Sequence, residues 1–182
     1  MTTFFQQSVS PITDVLQKEL NVSLSGIGIL SSSYFLTYLI SQIPFGIALQ
    51  KYSHHSILLV VSITLTLCFI LFGFIDSLAF AAILRIIGGA FGAPTWLITV
   101  TLVGDYFGNN EVQFFGAITT LFAFVLTFIG VTVQGYVYEV YGVWRVAYYI
   151  LGLMGLVNVF AIVATMFIQH KTHKVDLESK LC

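Results

Sequence analysis

Apolar residues dominate five long stretches of this 182-residue chain. They run at about 24 to 49, 56 to 75, 78 to 104, 112 to 135 and 144 to 168, each bounded by charges or turn-forming residues. Every stretch reaches the ~20 residues an α-helix needs to cross the hydrocarbon core of a bilayer. At ~1.5 Å rise per residue the shortest covers roughly 30 Å. None shows the two-residue alternation of a barrel strand. Apolar side chains form the majority of each stretch rather than one stripe, the pattern of a helix with lipid outside it. Only a helix or a closed barrel satisfies its own amides where water is absent. The pattern therefore predicts an all-α, polytopic membrane helical bundle with five full transmembrane helices.

The connections are short: QKYSHHS, DS, GNNEV and YEVYGV. Short turns make neighbouring helices antiparallel. Lys51, His54 and His55 then share one side with Lys171, Lys174 and Lys180, and the bias of basic residues makes that side, and the C-terminus, cytoplasmic in a plasma or inner membrane. Lys18 and Arg145 lie opposite among Asp14, Glu19, Asp76 and Glu139; the loop with Asp105 and Glu111 faces inward without a Lys or Arg. Five crossings place the first residues outside, so residues 1 to 10 read as the last turns of a sixth helix that begins upstream. The expected organisation is 1–23 as that helix end and an outer loop, 24–168 as the bundle, and 169–182 as a cytoplasmic tail.

Composition agrees. Residues are 58% hydrophobic and 8% charged, against roughly a quarter charged in soluble domains, and mean hydropathy is +0.96. A net charge of -1 with seven scattered Lys and Arg provides no basic field for nucleic acid. Cys68 lies within an apolar run and Cys182 at the end, too far apart to pair.

Few polar residues interrupt the spans. Arg85 costs ~2.5 to 3.5 kcal/mol on the insertion scale at a helix centre, so it is either kept for a cavity, ion pair or proton path, or snorkels to the nearby outer interface. Gln42, Gln134 and Asn158 offer hydrogen bonds to a substrate or between helices. Gly88, Gly89 and Gly92 give a small-residue face for close packing. Pro94 bends the third span beside Trp96, as a hinge or as a tolerated kink. No acid lies deep in a span. An enzyme needs a nucleophile and base or metal ligands at depth; His54, His55, His170 and His173 fall in connections or tail, Ser31, Ser32 and Ser33 have no base nearby, and no cofactor or metal is expected.

Three stretches carry a family likeness: Gly46-Ile47-Ala48-Leu49-Gln50-Lys51-Tyr52-Ser53-His54-His55, Arg85-Ile86-Ile87-Gly88-Gly89-Ala90-Phe91-Gly92-Ala93-Pro94, and Gly135 through Tyr141-Gly142-Val143-Trp144-Arg145. Together they resemble the N-terminal half of the major facilitator superfamily, from the end of its first helix through its sixth. Gln50 stands where that pattern has an acid, Ser53 where it has a second glycine, and Val143 interrupts the entry to the last helix. The fifth helix lacks the Gly-Pro-x-x-Gly-Gly of the family's drug/proton antiporters, which argues against drug export. The resemblance implies transport of a small solute, with or without a coupling ion, by alternating access. It implies a gating turn at Gly46, Gln50, Lys51, His54 and His55, and substrate or coupling roles among Arg85, Gln42, Trp96, Gln134 and Asn158. It also implies a second six-helix half, from another chain or a second copy, beside the lipid bilayer. The alternative is a non-transporting membrane module or remnant that binds a partner helix through its glycine faces.

Overall fold

The computed structural model describes residues 2–107 and 111–181, the side chains of 105–107 and 168–181 excepted. Among the described residues there are helices and no strand. A short α1 (Thr2–Gln7) is followed by a 3-10 turn (Ser10–Ile12) and α2 (Thr13–Glu19). The long elements are α3 (Leu24–Lys51), α4 (His54–Phe72), α5 (Leu78–Gly92), α6 (Pro94–Phe107), α7 (Val112–Tyr141) and α8 (Arg145–Leu181). Five helices are long and apolar enough to cross a membrane: Leu24–Lys51, His54–Phe72, Leu78–Gly104, Val112–Tyr141 and Arg145–Phe167.

Helix starts follow from serine caps. Ser23, Ser53 and Ser77 hold extended backbone, and their hydroxyls accept from the N–H of Gly26, Ser56 and Phe80, each at 3.3 Å, satisfying one of the amides a helix start leaves unpaired. Because Ser53 caps α4, the turn between α3 and α4 shrinks to Tyr52 and Ser53. Gly46, Gln50 and Lys51 belong to the last turns of α3, and His54 and His55 to the first turn of α4, so the expected gating loop is two helix ends.

The chain end of α7 also lies beyond the expected boundary. Glu139 does not stop it; the stop is Gly142, whose φ of 68° and N–H to the Tyr138 carbonyl (2.8 Å) make a left-handed cap. α8 likewise continues as helix past 168 to Leu181; the side chains of His170, Lys171, His173, Lys174 and Lys180 lie outside the described residues.

α5 lies along α3, α4 contacts both α5 and α8, and α1 and α6 contact α7. Close approach of α3 and α5 depends on missing side chains: a Cβ on Gly89 would run into the Tyr34 carbonyl and Thr37 Oγ1. The core gathers around α1. Phe5 meets Phe69 edge-on at 4.8 Å, and Phe72 stacks on Tyr148 at 4.8 Å. Phe122, Phe128, Leu153 and Phe160 on α7 and α8 are exposed on the chain, the faces a bilayer covers.

Candidate functional site

Two features share the short α1. The first is a buried clamp on its end. A six-residue helix has no stability of its own, and α1 is held by Phe4 and Phe5, both buried. Its last carbonyls have no intrahelical partner, and Pro11 in the turn that follows has no N–H to offer. Side chains from three other helices accordingly close on this break. Arg85 of α5 donates through Nη1 to the carbonyls of Phe5 and Gln6 and through Nη2 to Ser8 Oγ (3.3 Å). Ser8 Oγ in turn donates to the Phe5 carbonyl (2.9 Å). Gln134 Nε2 of α7 and the Tyr148 hydroxyl of α8 both donate to the Ser8 carbonyl, each at 3.0 Å.

Arg85 has 0% exposure, so it does not snorkel. Among the described residues the ion pairs are those of Arg145, and no carboxylate meets Arg85. Its charge is balanced by the negative end of α1 and by ring faces: the guanidinium carbon lies 4.9 Å from the Phe5 centroid, 5.5 Å from Phe72 and 5.8 Å from Tyr34. Among the described residues Nε of Arg85 and Oε1 of Gln134 have no hydrogen-bond partner.

The second feature is a cleft lined in part by Tyr34, of about 340 Å³, at the small end of the range for ligand sites. It opens between α1, α3, α6 and α7 beside the second helix break, at Ala93, where Pro94 cannot donate to its own turn. Tyr34 and Tyr38 of α3, stacked at 6.2 Å, form one wall. Thr95, Trp96 and Thr99 form another, and Thr119, Thr120 and Phe124 a third. Gly92 keeps the floor open: a Cβ there would lie 2.9 Å from the Tyr34 hydroxyl. Among the described residues every lining side chain is neutral.

The threonines are not equivalent donors. Thr99, Thr119 and Thr120 give their hydrogens to the carbonyls of Thr95, Phe115 and Gly116 at 2.7 to 2.8 Å, the usual bond of a helical threonine four residues back. Each then presents lone pairs to the cleft. Tyr34 likewise spends its hydrogen on the Thr2 carbonyl (3.4 Å). Among the described residues Thr95 Oγ1 has no hydrogen-bond partner.

Of the residues singled out from sequence, Arg85 and Gln134 meet at Ser8, whereas Trp96 lines the cleft at 47% exposure. Gln42 is half-buried on α3 and does not line the cleft; Asn158 is exposed on α8, beside exposed Leu156 and Val157. Gly88 faces the Phe5 ring, so the glycines of α5 pack against α1 as well as α3. Trp144 is 2% exposed and edge-on to Tyr148 at 5.7 Å, so it packs in the core. Its neighbour Arg145 pairs with Glu19 (3.2 Å) and Asp76 (3.5 Å). Sequence reasoning missed Ser8, Tyr148, Tyr34 and the cleft threonines. The available signal was Thr95 and Thr99 on one face four residues apart, just after a proline.

No curated protein matches the chain. A family model described as Major Facilitator Superfamily matches residues 1–181, nearly the entire length of the same helical bundle that carries the broken first helix, the buried arginine and the neutral cleft. This multi-pass membrane protein belongs to the major facilitator superfamily of transporters.

Proposed function

We propose that this chain forms the N-terminal half of an alternating-access transporter and that the cleft at Tyr34, Thr95, Trp96 and Thr120 is its solute face. The observation that carries this reading is the pairing of two helix breaks, at Ser8–Val9 and at Ala93, with a neutral hydroxyl-lined cleft between them. Interrupted helices at mid-membrane are where transporters place their substrate sites. On this reading α1 is the end of the family's first helix, and a second six-helix half faces the cleft across the bilayer centre. On this reading α3's end and the C-terminus lie on the cytoplasmic side of a plasma or inner membrane, which the bias of basic residues in the sequence, Lys51 with Lys171, Lys174 and Lys180, supports.

The test is uptake into liposomes by the chain alone, with its oligomeric state measured in the same membranes. Expected is no saturable uptake by a monomer and uptake restored by a facing half. Saturable uptake by a demonstrated monomer would refute the need for a second half. Unchanged uptake after Tyr34→Ala together with Thr95→Val in an active assembly would remove the cleft from the solute path.

A further inference from the structure

We infer that the face of α8 carrying Asn158 is a homodimer surface, on which a second copy of this chain lays the same helix and the two Asn158 side chains pair amide to amide. The observation that carries it is a polar group at depth with nothing to bond. The apolar span of α8 is Arg145–Phe167, and Asn158 lies close to its middle. Its side chain is exposed and makes no hydrogen bond among the described residues. No water completes an amide at that depth, and an unpaired polar group in hydrocarbon is costly. The helix's own carbonyls accept only from the amide's N–H groups and leave its C=O without a donor.

The neighbours on this face suit a second helix. Met154, Asn158, Ala161 and Thr165 follow one another at intervals of four, three and four residues, the spacing of a left-handed helix pair, and all four are exposed. Ala161 lets another backbone come close, and Met154 adapts its shape to what it meets. The bundle itself uses a different face of α8: Tyr148 stacks on Phe72, Tyr149 donates to the Gly73 carbonyl (3.0 Å) and Gly152 admits Ile70 of α4. Among the described residues none from α8 lines the cleft, so a half seated on the cleft leaves this seam open.

The amide's own chemistry selects the occupant. It holds both donor and acceptor and therefore complements itself. Two copies inserted in the same orientation present α8 in parallel, and a two-fold axis along the membrane normal brings Asn158 to its counterpart at equal depth, where the two exchange N–H···O=C bonds. An apolar partner helix leaves the amide as poorly paired as lipid does, and a charged one carries its own penalty into the membrane.

The test counts copies of the full chain, carrying Cys68→Ala and Cys182→Ser, in lipid vesicles at increasing dilution, by stepwise photobleaching of a C-terminal fluorophore. Expected are dimers that separate on dilution, and about 5- to 30-fold weaker association for Asn158→Leu, the equivalent of ~1 to 2 kcal/mol for such a bond between membrane helices. Leucine is at home in lipid, so that variant keeps its fold, which SDS unfolding followed by Trp144 emission verifies. In the same background Ala161→Cys forms an intermolecular disulfide on oxidation, whereas Phe160→Cys, exposed but turned away from the seam, does not. A chain that is monomeric at every density overturns the proposal. So do dimers indifferent to Asn158→Leu, and equal cross-linking at 160 and 161. A chain that stays monomeric until a facing half is added, with Asn158→Leu weakening that pairing, gives the amide to the other occupant and also overturns it. None of these readouts involves the cleft, so their failure leaves the solute-face reading standing.

Discussion

Replacing Arg85 by methionine keeps the apolar stem and removes every donor, so it isolates what the guanidinium does for the bundle. Three bonds disappear, to the carbonyls of Phe5 and Gln6 and to Ser8 Oγ. A side-chain hydrogen bond between membrane helices contributes ~0.6 kcal/mol on average and at most ~1.7, so three of them contribute ~2 to ~5 kcal/mol. Insertion changes in the opposite direction, because a guanidinium at mid-helix costs ~2.5 to 3.5 kcal/mol on the insertion scale and methionine does not. The variant therefore inserts at least as well as the parent and folds less stably. Unfolding in mixed micelles with rising SDS, followed by emission of the buried Trp144, measures the difference. Lysine at 85 keeps the charge as a compact point and falls between. A cycle with Ser8→Ala yields a coupling of ~0.5 kcal/mol or more for a direct contact. Arg85→Met unfolding at the parental SDS fraction, with no coupling to Ser8, would refute the account of Arg85 as the holder of α1.

Other expectations are as direct. Gly89→Ala drives a methyl into the Tyr34 carbonyl and Thr37 and costs about 1 to 3 kcal/mol in the same titration, whereas Gly46→Ala meets open space and is neutral or stabilising by up to ~1 kcal/mol. Arg145→Gln changes stability by no more than ~1 kcal/mol, less in high salt, since the side chains of Arg145, Glu19 and Asp76 are 38%, 43% and 86% exposed. Cys68, 3% exposed, labels with maleimide only on unfolding; rapid labelling of the folded chain contradicts its place in the core.

Much of the bundle was legible because the bilayer imposes a one-dimensional rule: long apolar runs are helices. The runs at 56 to 75 and 78 to 104 lie close to His54–Phe72 and Leu78–Gly104. Ends were read less well where a charge was taken for a stop. Glu139 is tolerated inside α7 because the actual terminator is the left-handed Gly142, and the basic turn contracted because Ser53 caps a helix that begins at His54. Arg85 stood out from sequence as costly, but its partners are backbone carbonyls, which every residue possesses and no pattern of side chains reveals. The cleft was hidden for a related reason. Its threonines look like ordinary helix residues until rotation and the Pro94 break align them with Tyr34.

The clamp at Ser8 has a bearing on the order in which the protein is made. Synthesis delivers the break in α1 first, then the guanidinium of α5, then the amide of α7, and last the phenol of α8. A nascent chain that ends after α6 already possesses the arginine and its acceptors, so the costliest group in the sequence need not wait in lipid for the later helices. The two remaining fingers arrive on a knot that is already tied.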